Sequence, residues 1–224
     1  MNSETSLITM GGWTLRARAP QGPGLSPLFV LLHGWTGDED SMWIFASRLP
    51  QGCMMIAPRG QYPAPMGGYA WYPHRQSWPE LEDFRPAVES LSALLTTDNF
   101  PGVDWGALHL LGFSQGAALA CAYALFNPGR AATVGGLSGF VPEGAAALAA
   151  DGRLAGLPVF LAHGTQDTLV PVALARKGAS LLEQAGARVT YCEDDVGHKL
   201  SANCFRALAK FYQDRSPKPT QIYP

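Results

Sequence analysis

Residues 107–126 read ALHLLGFSQGAALACAYALF. An apolar run breaks at Gly112-Phe113-Ser114-Gln115-Gly116 and gives way to an alanine-rich stretch free of proline and glycine. Such a pattern predicts a strand, a sharp turn and a helix. A serine between two glycines at this spacing suits a strained turn: small flanking residues let strand and helix close on each other, and the serine side chain then stands above the sheet. The same residues would also serve an ordinary helix start capped by Ser114. A nucleophile needs an acid and a base elsewhere in the chain, so the rest of the sequence decides between the two.

Around this stretch, strands and helices alternate. Trp13 to Ala19 alternates apolar with basic residues and predicts a half-exposed edge strand. Leu28 to Leu32 is continuously apolar, as in a strand buried on both faces, and runs straight into His33-Gly34-Trp35-Thr36-Gly37-Asp38. Further strands are expected at Cys53 to Ala57, Ala132 to Leu137, Leu157 to Ala162 and Arg188 to Cys192. Between them, helices are expected at Ser41 to Leu49, Glu80 to Thr97 and Val172 to Gln184, with a terminal helix running to about Tyr212. This order predicts an α/β fold with a mostly parallel central sheet, helices on both faces and active groups at the strands' carboxyl ends. With 224 residues and 47% apolar content, one domain spanning 1–224 is expected. The proline-rich segment 216–224 is expected to fray.

Composition removes several classes of function. A formal net charge of -2 and the absence of any Lys/Arg cluster leave no basic field for a phosphate backbone, so nucleic acid is not an expected partner. Only 107–126 approaches membrane length, and its histidine, serine, glutamine and glycines fit a spanning helix poorly. The start MNSETSLITMGG lacks a basic segment followed by an apolar one, so a cytoplasmic location is expected. Cys53, Cys121, Cys192 and Cys204 show neither metal-type spacing nor a dense disulfide pattern and are expected to be reduced core thiols. No metal and no organic cofactor are expected. A homodimer is left open.

Candidate acids and bases follow the turn in sequence. Leu157 to Ala162 delivers His163-Gly164-Thr165-Gln166-Asp167, and Arg188 to Cys192 delivers Glu193-Asp194-Asp195-Val196-Gly197-His198. A serine hydroxyl is a poor nucleophile unless an imidazole takes its proton, and that imidazole needs a carboxylate to fix its tautomer. Ser114, Asp167 and His198 stand in the chain order of the α/β-hydrolase fold, each after a strand. His33 and His163 precede glycines at strand ends and read as structural, while His74 and His109 lie in a loop and a strand. Asp194 and Asp195 stand too near His198 in sequence to match that order, and Ser138 reads as a turn residue. The proline- and glycine-rich segment 58–79 has no sustained period and reads as a functional loop. Its Tyr69, Trp71 and Tyr72 are candidates for a substrate pocket, with Tyr62 and Trp78 beside them.

The segments LLHGWTGDE, APRG, LGFSQGA, GGLSGF, HGTQDTLVP and GHKLS, in this order, resemble the phospholipase/carboxylesterase family that includes acyl-protein thioesterases. The resemblance runs from Phe29 to Tyr212. It implies a serine hydrolase acting on small or lipid-like acyl esters or thioesters, with an oxyanion hole made by the backbone N–H groups of Trp35 and Gln115. A dienelactone-type lactonase, a small peptidase and a non-catalytic ligand-binding relative are the alternatives; the first typically uses cysteine where this chain has Ser114. The chain departs from the family at Thr36, where glycine is frequent and positive φ is easier, and at Tyr72-Pro73, where a Phe-Asp pair is common. Because the donor at Gln115 is backbone, truncating its side chain is expected to be mild.

Overall fold

The computed structural model describes residues 5–73 and 77–215. The rival base His74 and the tail 216–224 lie outside them. Eight strands form one sheet: β1 (Ser6–Met10), β2 (Trp13–Arg18), β3 (Ser26–Leu32), β4 (Met54–Pro58), β7 (Val103–Phe113), β8 (Thr133–Leu137), β9 (Pro158–Gly164) and β10 (Arg188–Asp194). The spatial order is β1-β2-β4-β3-β7-β8-β9-β10. From β4 to β10 every pairing is parallel, whereas β1 and β2 are antiparallel additions at one edge. A separate small hairpin, β5 (Tyr62–Pro63) and β6 (Tyr69–Ala70), lies within the irregular loop. The helices are α1 (Arg85–Leu94), α2 (Gln115–Phe126), α3 (Ala145–Ala149), α4 (Val172–Gln184) and α5 (Ala202–Gln213).

The continuous apolar strands follow from having a core on each face. Along β3, Leu28, Val30 and Leu32 join the core beneath α1 and α2, while Phe29 and Leu31 join the core beneath α5. In β9, Val159 and Leu161 divide from Phe160 and Ala162 in the same way. Helix α2 is buried from Gln115 to Leu125, so it shows no polar stripe; its alanines let it lie close against the sheet. Three elements differ from expectation. β1 adds a strand whose largely exposed side chains give no apolar signal, residues 43–48 wind as a 3-10 helix, and the five-residue α3 is too short for a period to show.

Helix α5 packs Tyr212 against Phe29, with ring centroids 5.1 Å apart, and Phe29 stacks on His109 of β7 at 4.5 Å. His109 Nδ1 lies 2.9 Å from Thr133 Oγ1. Burial here penalises the imidazolium and pushes the His109 pKa from an ordinary 6.5 down to about 4. Between those two values the unfolded chain binds a proton that the folded chain refuses, so stability falls as pH drops through that window, by about 3 kcal/mol at most. His109→Phe keeps the stack and removes the titration. Its melting temperature should therefore fall less between about pH 7 and about pH 4.5 than that of the wild type, whatever the constant cost of Thr133 losing its partner.

Candidate active site

Strand β7 ends at Phe113, and Ser114 takes φ 53° and ψ −116°, a backbone conformation that non-glycine residues rarely adopt. Its N–H donates to the Leu137 carbonyl of β8 at 2.8 Å, and its carbonyl accepts from Ala117 N–H at 3.0 Å. The flanking glycines make the turn feasible. A Cβ on Gly112 would collide with the Gly116 backbone, and a Cβ on Gly116 with the Leu32 and His33 carbonyl oxygens. Strand, turn and helix therefore approach more closely than any side chain allows, as expected from the sequence.

Asp167 is buried in the loop after β9. Its Oδ1 accepts from Leu169 N–H and Val170 N–H, both at 2.9 Å, and its Oδ2 faces His198 Nδ1 at 2.7 Å. The carboxylate so held keeps the proton on Nδ1 and leaves Nε2 for the opposite side of the ring. His198 lies in the loop between β10 and α5, with its ring against Phe113 at 5.0 Å. That loop is fixed to the acid loop by Thr165 N–H to the Asp194 carbonyl (2.9 Å) and Gln166 N–H to the Val196 carbonyl (3.0 Å). Gly164 has no room for a Cβ against the Val196 and Gly197 carbonyls. The rival acids are engaged elsewhere, Asp194 with Asp195 N–H and Asp195 with the Thr165 hydroxyl.

Ser114 and His198 line one cleft of about 640 Å³, together with Trp35, Tyr72, Trp78, Phe113, Phe140 and Leu169. No hydrogen bond joins the serine to the histidine, and contacts of this kind often close only around a bound substrate. Gln115 opens α2, where a helix's first N–H groups have no partner within the helix, and Trp35 reaches the same cleft from the loop after β3. Of the three aromatic pocket candidates, Tyr72 lines the cleft and two do not. Trp71 is buried beneath it, packed on His33 at 4.7 Å and donating from Nε1 to the His33 carbonyl at 2.8 Å. Tyr69 accepts from Arg59 at 3.1 Å and lies under that guanidinium at 4.7 Å. Sequence shows that a loop is aromatic, not which way each ring turns.

The residues around Tyr69 and Trp71 brace the loop after β3. Arg59 grips the buried Glu39 with two hydrogen bonds of 2.7 and 2.6 Å, which holds the Glu39 pKa below the usual carboxylate range. His33 accepts at Nε2 from Gly60 N–H (2.8 Å), so its proton is on Nδ1 and donates to the Gly34 carbonyl (2.7 Å). Burial lowers the His33 pKa, which favours this neutral form. Thr36 adopts φ 67° despite its side chain and donates its N–H to the Tyr69 carbonyl at 3.0 Å, so the departure from glycine does not prevent the left-handed conformation. Ser138 also has positive φ, 47°, and is fully buried at the turn after β8.

A model described as phospholipase/carboxylesterase matches residues 20–215. The chain belongs to the phospholipase/carboxylesterase family. It is similar to acyl-protein thioesterase 1 of Yarrowia lipolytica, 26% identical over 170 residues that cover 68% of this chain and 74% of the relative. It also resembles a protein of Oryza sativa subsp. japonica named a probable inactive carboxylesterase, 31% identical over 124 residues, 53% of this chain. That match spans about half the length of the rice protein, 49%. Among solved structures, the Bacillus cereus carboxylesterase superimposes with a TM-score of 0.79 at 21% identity, covering 92% of this chain and 96% of the other. The carboxylesterase of Mesorhizobium loti gives 0.78 at 21%, covering 95% and 99%. The fold is accordingly that of an α/β hydrolase. No helix among the described residues is long and apolar enough to cross a membrane.

Two features of this phospholipase/carboxylesterase chain escape sequence reasoning. First, Cys192 and Cys204 are not thiols but form a disulfide, with Cα atoms 5.8 Å apart. One stands on β10 and the other in the first turn of α5, elements that fold back on each other around the His198 loop. The signal available was their placement on either side of His198, 12 residues apart. Disulfides persist chiefly in oxidising compartments, which counts against the reducing setting assumed for these cysteines. Cys53 and Cys121 remain buried thiols, their pKa values pushed up to about 11 and about 12 by burial. Second, the Gln115 side chain is not idle: its Oε1 accepts from the buried Trp71 N–H at 2.8 Å, across 44 residues.

Two measurements follow from these features. Thiol titration of the unreduced, denatured protein should find Cys53 and Cys121 only, and Cys192→Ser/Cys204→Ser should lower stability by about 3 kcal/mol, the entropy scale of releasing so short a loop. Four titratable thiols before reduction would contradict the bridge. Gln115→Ala keeps its backbone N–H, so the mild effect on turnover is still expected, but it strands the Trp71 backbone N–H and should cost about 1–3 kcal/mol of stability. Chemical denaturation reads that cost, and Gln115→Glu, which retains an acceptor, should recover most of it.

Proposed function

We propose that the protein is a serine hydrolase that cleaves carboxylic esters or thioesters through an acyl-enzyme on Ser114. The observation that carries this reading is the 2.7 Å contact between Asp167 and His198, with His198 and Ser114 on the wall of one cleft. In the first step His198 Nε2 takes the Ser114 proton as the hydroxyl attacks the carbonyl carbon, and the tetrahedral oxyanion is met by the backbone N–H groups of Gln115 and Trp35. His198 then gives its proton to the departing alcohol or thiol. Water, deprotonated by the same nitrogen, releases the acid and regenerates Ser114. Asp167 stabilises the imidazolium formed in each half-reaction.

The described cleft residues include no Asp, Glu, Lys or Arg, and most are aromatic or aliphatic. An uncharged, apolar acyl group suits such walls, which supports small or lipid-like acyl esters as substrates. No cofactor enters this mechanism. A protein that binds such ligands without turning them over is the competing reading, suggested by the name of the rice relative. Covalent capture of a fluorophosphonate separates the two, because it requires an activated serine.

Ser114→Ala should abolish fluorophosphonate labelling and lower turnover of an aryl ester by about 10³-fold or more, with an unchanged circular dichroism spectrum. In the wild type, kcat/KM should rise from acid to mildly alkaline pH, since only a free imidazole accepts the proton of serine. A wild-type protein that neither labels nor hydrolyses any of a panel of esters and thioesters would sink the catalytic reading.

A further inference from the structure

A second histidine stands behind the acid. His163 stands one residue before the end of β9 with its side chain 1% exposed, and its Nε2 lies 2.8 Å from the Val170 carbonyl and 3.4 Å from Asp167 Oδ2. A carbonyl can only accept, so Nε2 carries a proton. That proton is given to the Val170 carbonyl, and the carboxylate oxygen that faces His198 lies against the same nitrogen without taking the hydrogen bond. Val170 closes the arrangement: its carbonyl accepts from His163 while its N–H donates to Asp167 Oδ1. The turn carrying the acid is thus fastened at one residue from both sides, and Val170 is itself part of the cleft wall.

We propose that His163 is a positioning residue for the Asp167–His198 pair, its Nε2–H locking the acid turn and holding Oδ2 in line with His198 Nδ1. The inference rests on the serine-hydrolase reading for its effect on rate, though not for its effect on the Asp167–His198 contact. Backbone donors fix only Oδ1. Without His163, Oδ2 keeps a single partner, His198, and the Val170 carbonyl, in a residue 4% exposed, has no donor from β9. The carboxylate can then rotate about its remaining bonds, which weakens the contact that favours the imidazolium. Other charged groups on these elements are Glu193, paired with Arg176 of α4 and within electrostatic reach of His163, and Asp194, Asp195 and Lys199.

The test compares His163→Gln, whose amide N–H can reach the place of Nε2, with His163→Asn, which carries the same amide one bond shorter, and with His163→Leu. Four quantities are read on the full chain: kcat and KM for an aryl ester, the pH midpoint of kcat/KM, and the far-downfield proton resonance of His198 Nδ1–H. In the Asn and Leu variants kcat should fall about tenfold or more with KM little changed, the scale expected when a catalytic group loses its alignment. The midpoint should move to lower pH, because a misaligned carboxylate supports the imidazolium less, and the downfield resonance should weaken. His163→Gln should stay within about threefold of wild type and keep the resonance. If Asn or Leu variants with native circular dichroism retain wild-type kcat, midpoint and resonance, or if Gln is as damaged as Asn, the positioning role is wrong. Should the wild type prove catalytically silent, the hydrolase reading fails instead, and the resonance still decides whether His163 aligns the pair.

Discussion

Everything at this site depends on how closely α2 approaches the sheet beneath it. Gly112 and Gly116 leave no room for a Cβ on either, because strand, helix and the end of β3 meet backbone to backbone. That approach forces Ser114 into φ 53°. Strain of this kind costs on the order of 1–3 kcal/mol and survives only where its surroundings over-determine it. Here they do: the serine backbone is bonded to β8 on one side and to the first turn of α2 on the other, and α2 is buried along nearly its whole length. The helix cannot tilt to relieve the turn without opening the core on that face of the sheet.

The same close packing explains why the loop after β3 needs such elaborate support. With the helix N-terminus drawn against β3, that loop must pass over the turn without a regular ladder to satisfy its polar groups. Buried polar groups without partners are costly. The solution is a set of long-range bonds from the irregular loop: Arg59 to Glu39, Gly60 N–H to His33, the Trp71 indole N–H to the His33 carbonyl, and the Trp71 backbone N–H to Gln115 Oε1. The first part of the irregular segment 58–79 is therefore mainly a buttress, while Met66, Tyr72, Ser77, Trp78 and Pro79 line the cleft.

This division bears on what could be read from the sequence. The strands were legible because two cores make their apolar runs continuous, and Ser114, Asp167 and His198 could be picked out because each follows a strand, in the chain order of the α/β-hydrolase fold. Asp167 and His198 do meet, and Ser114 opens on the same cleft. What was not legible depends on side-chain direction across long separations. Nothing local distinguishes Tyr72, which reaches the cleft, from Trp71 next to it, which turns inward. Nor does a spacing of 12 residues announce that Cys192 and Cys204 approach, since that depends on α5 reversing against β10. The short exposed β1 and the five-residue α3 carry too few buried residues for either period to emerge.

The support around Asp167 and His198 also differs in kind from the support around Ser114. The serine is held by backbone strain and by packing that tolerates no added atom, so its position is a property of the fold. The acid and base are held by loops, and each loop has its own restraint: hydrogen bonds from Leu169, Val170 and His163 on the acid side, a disulfide at the root of the loop on the base side. The two loops are joined by backbone bonds from Thr165 and Gln166, at the point where Gly164 admits no side chain. A loop at a strand end is otherwise among the least stable parts of a domain. Distributing the restraints over both loops holds the imidazole against the carboxylate, while Leu169, 67% exposed, stands beside them on the cleft wall.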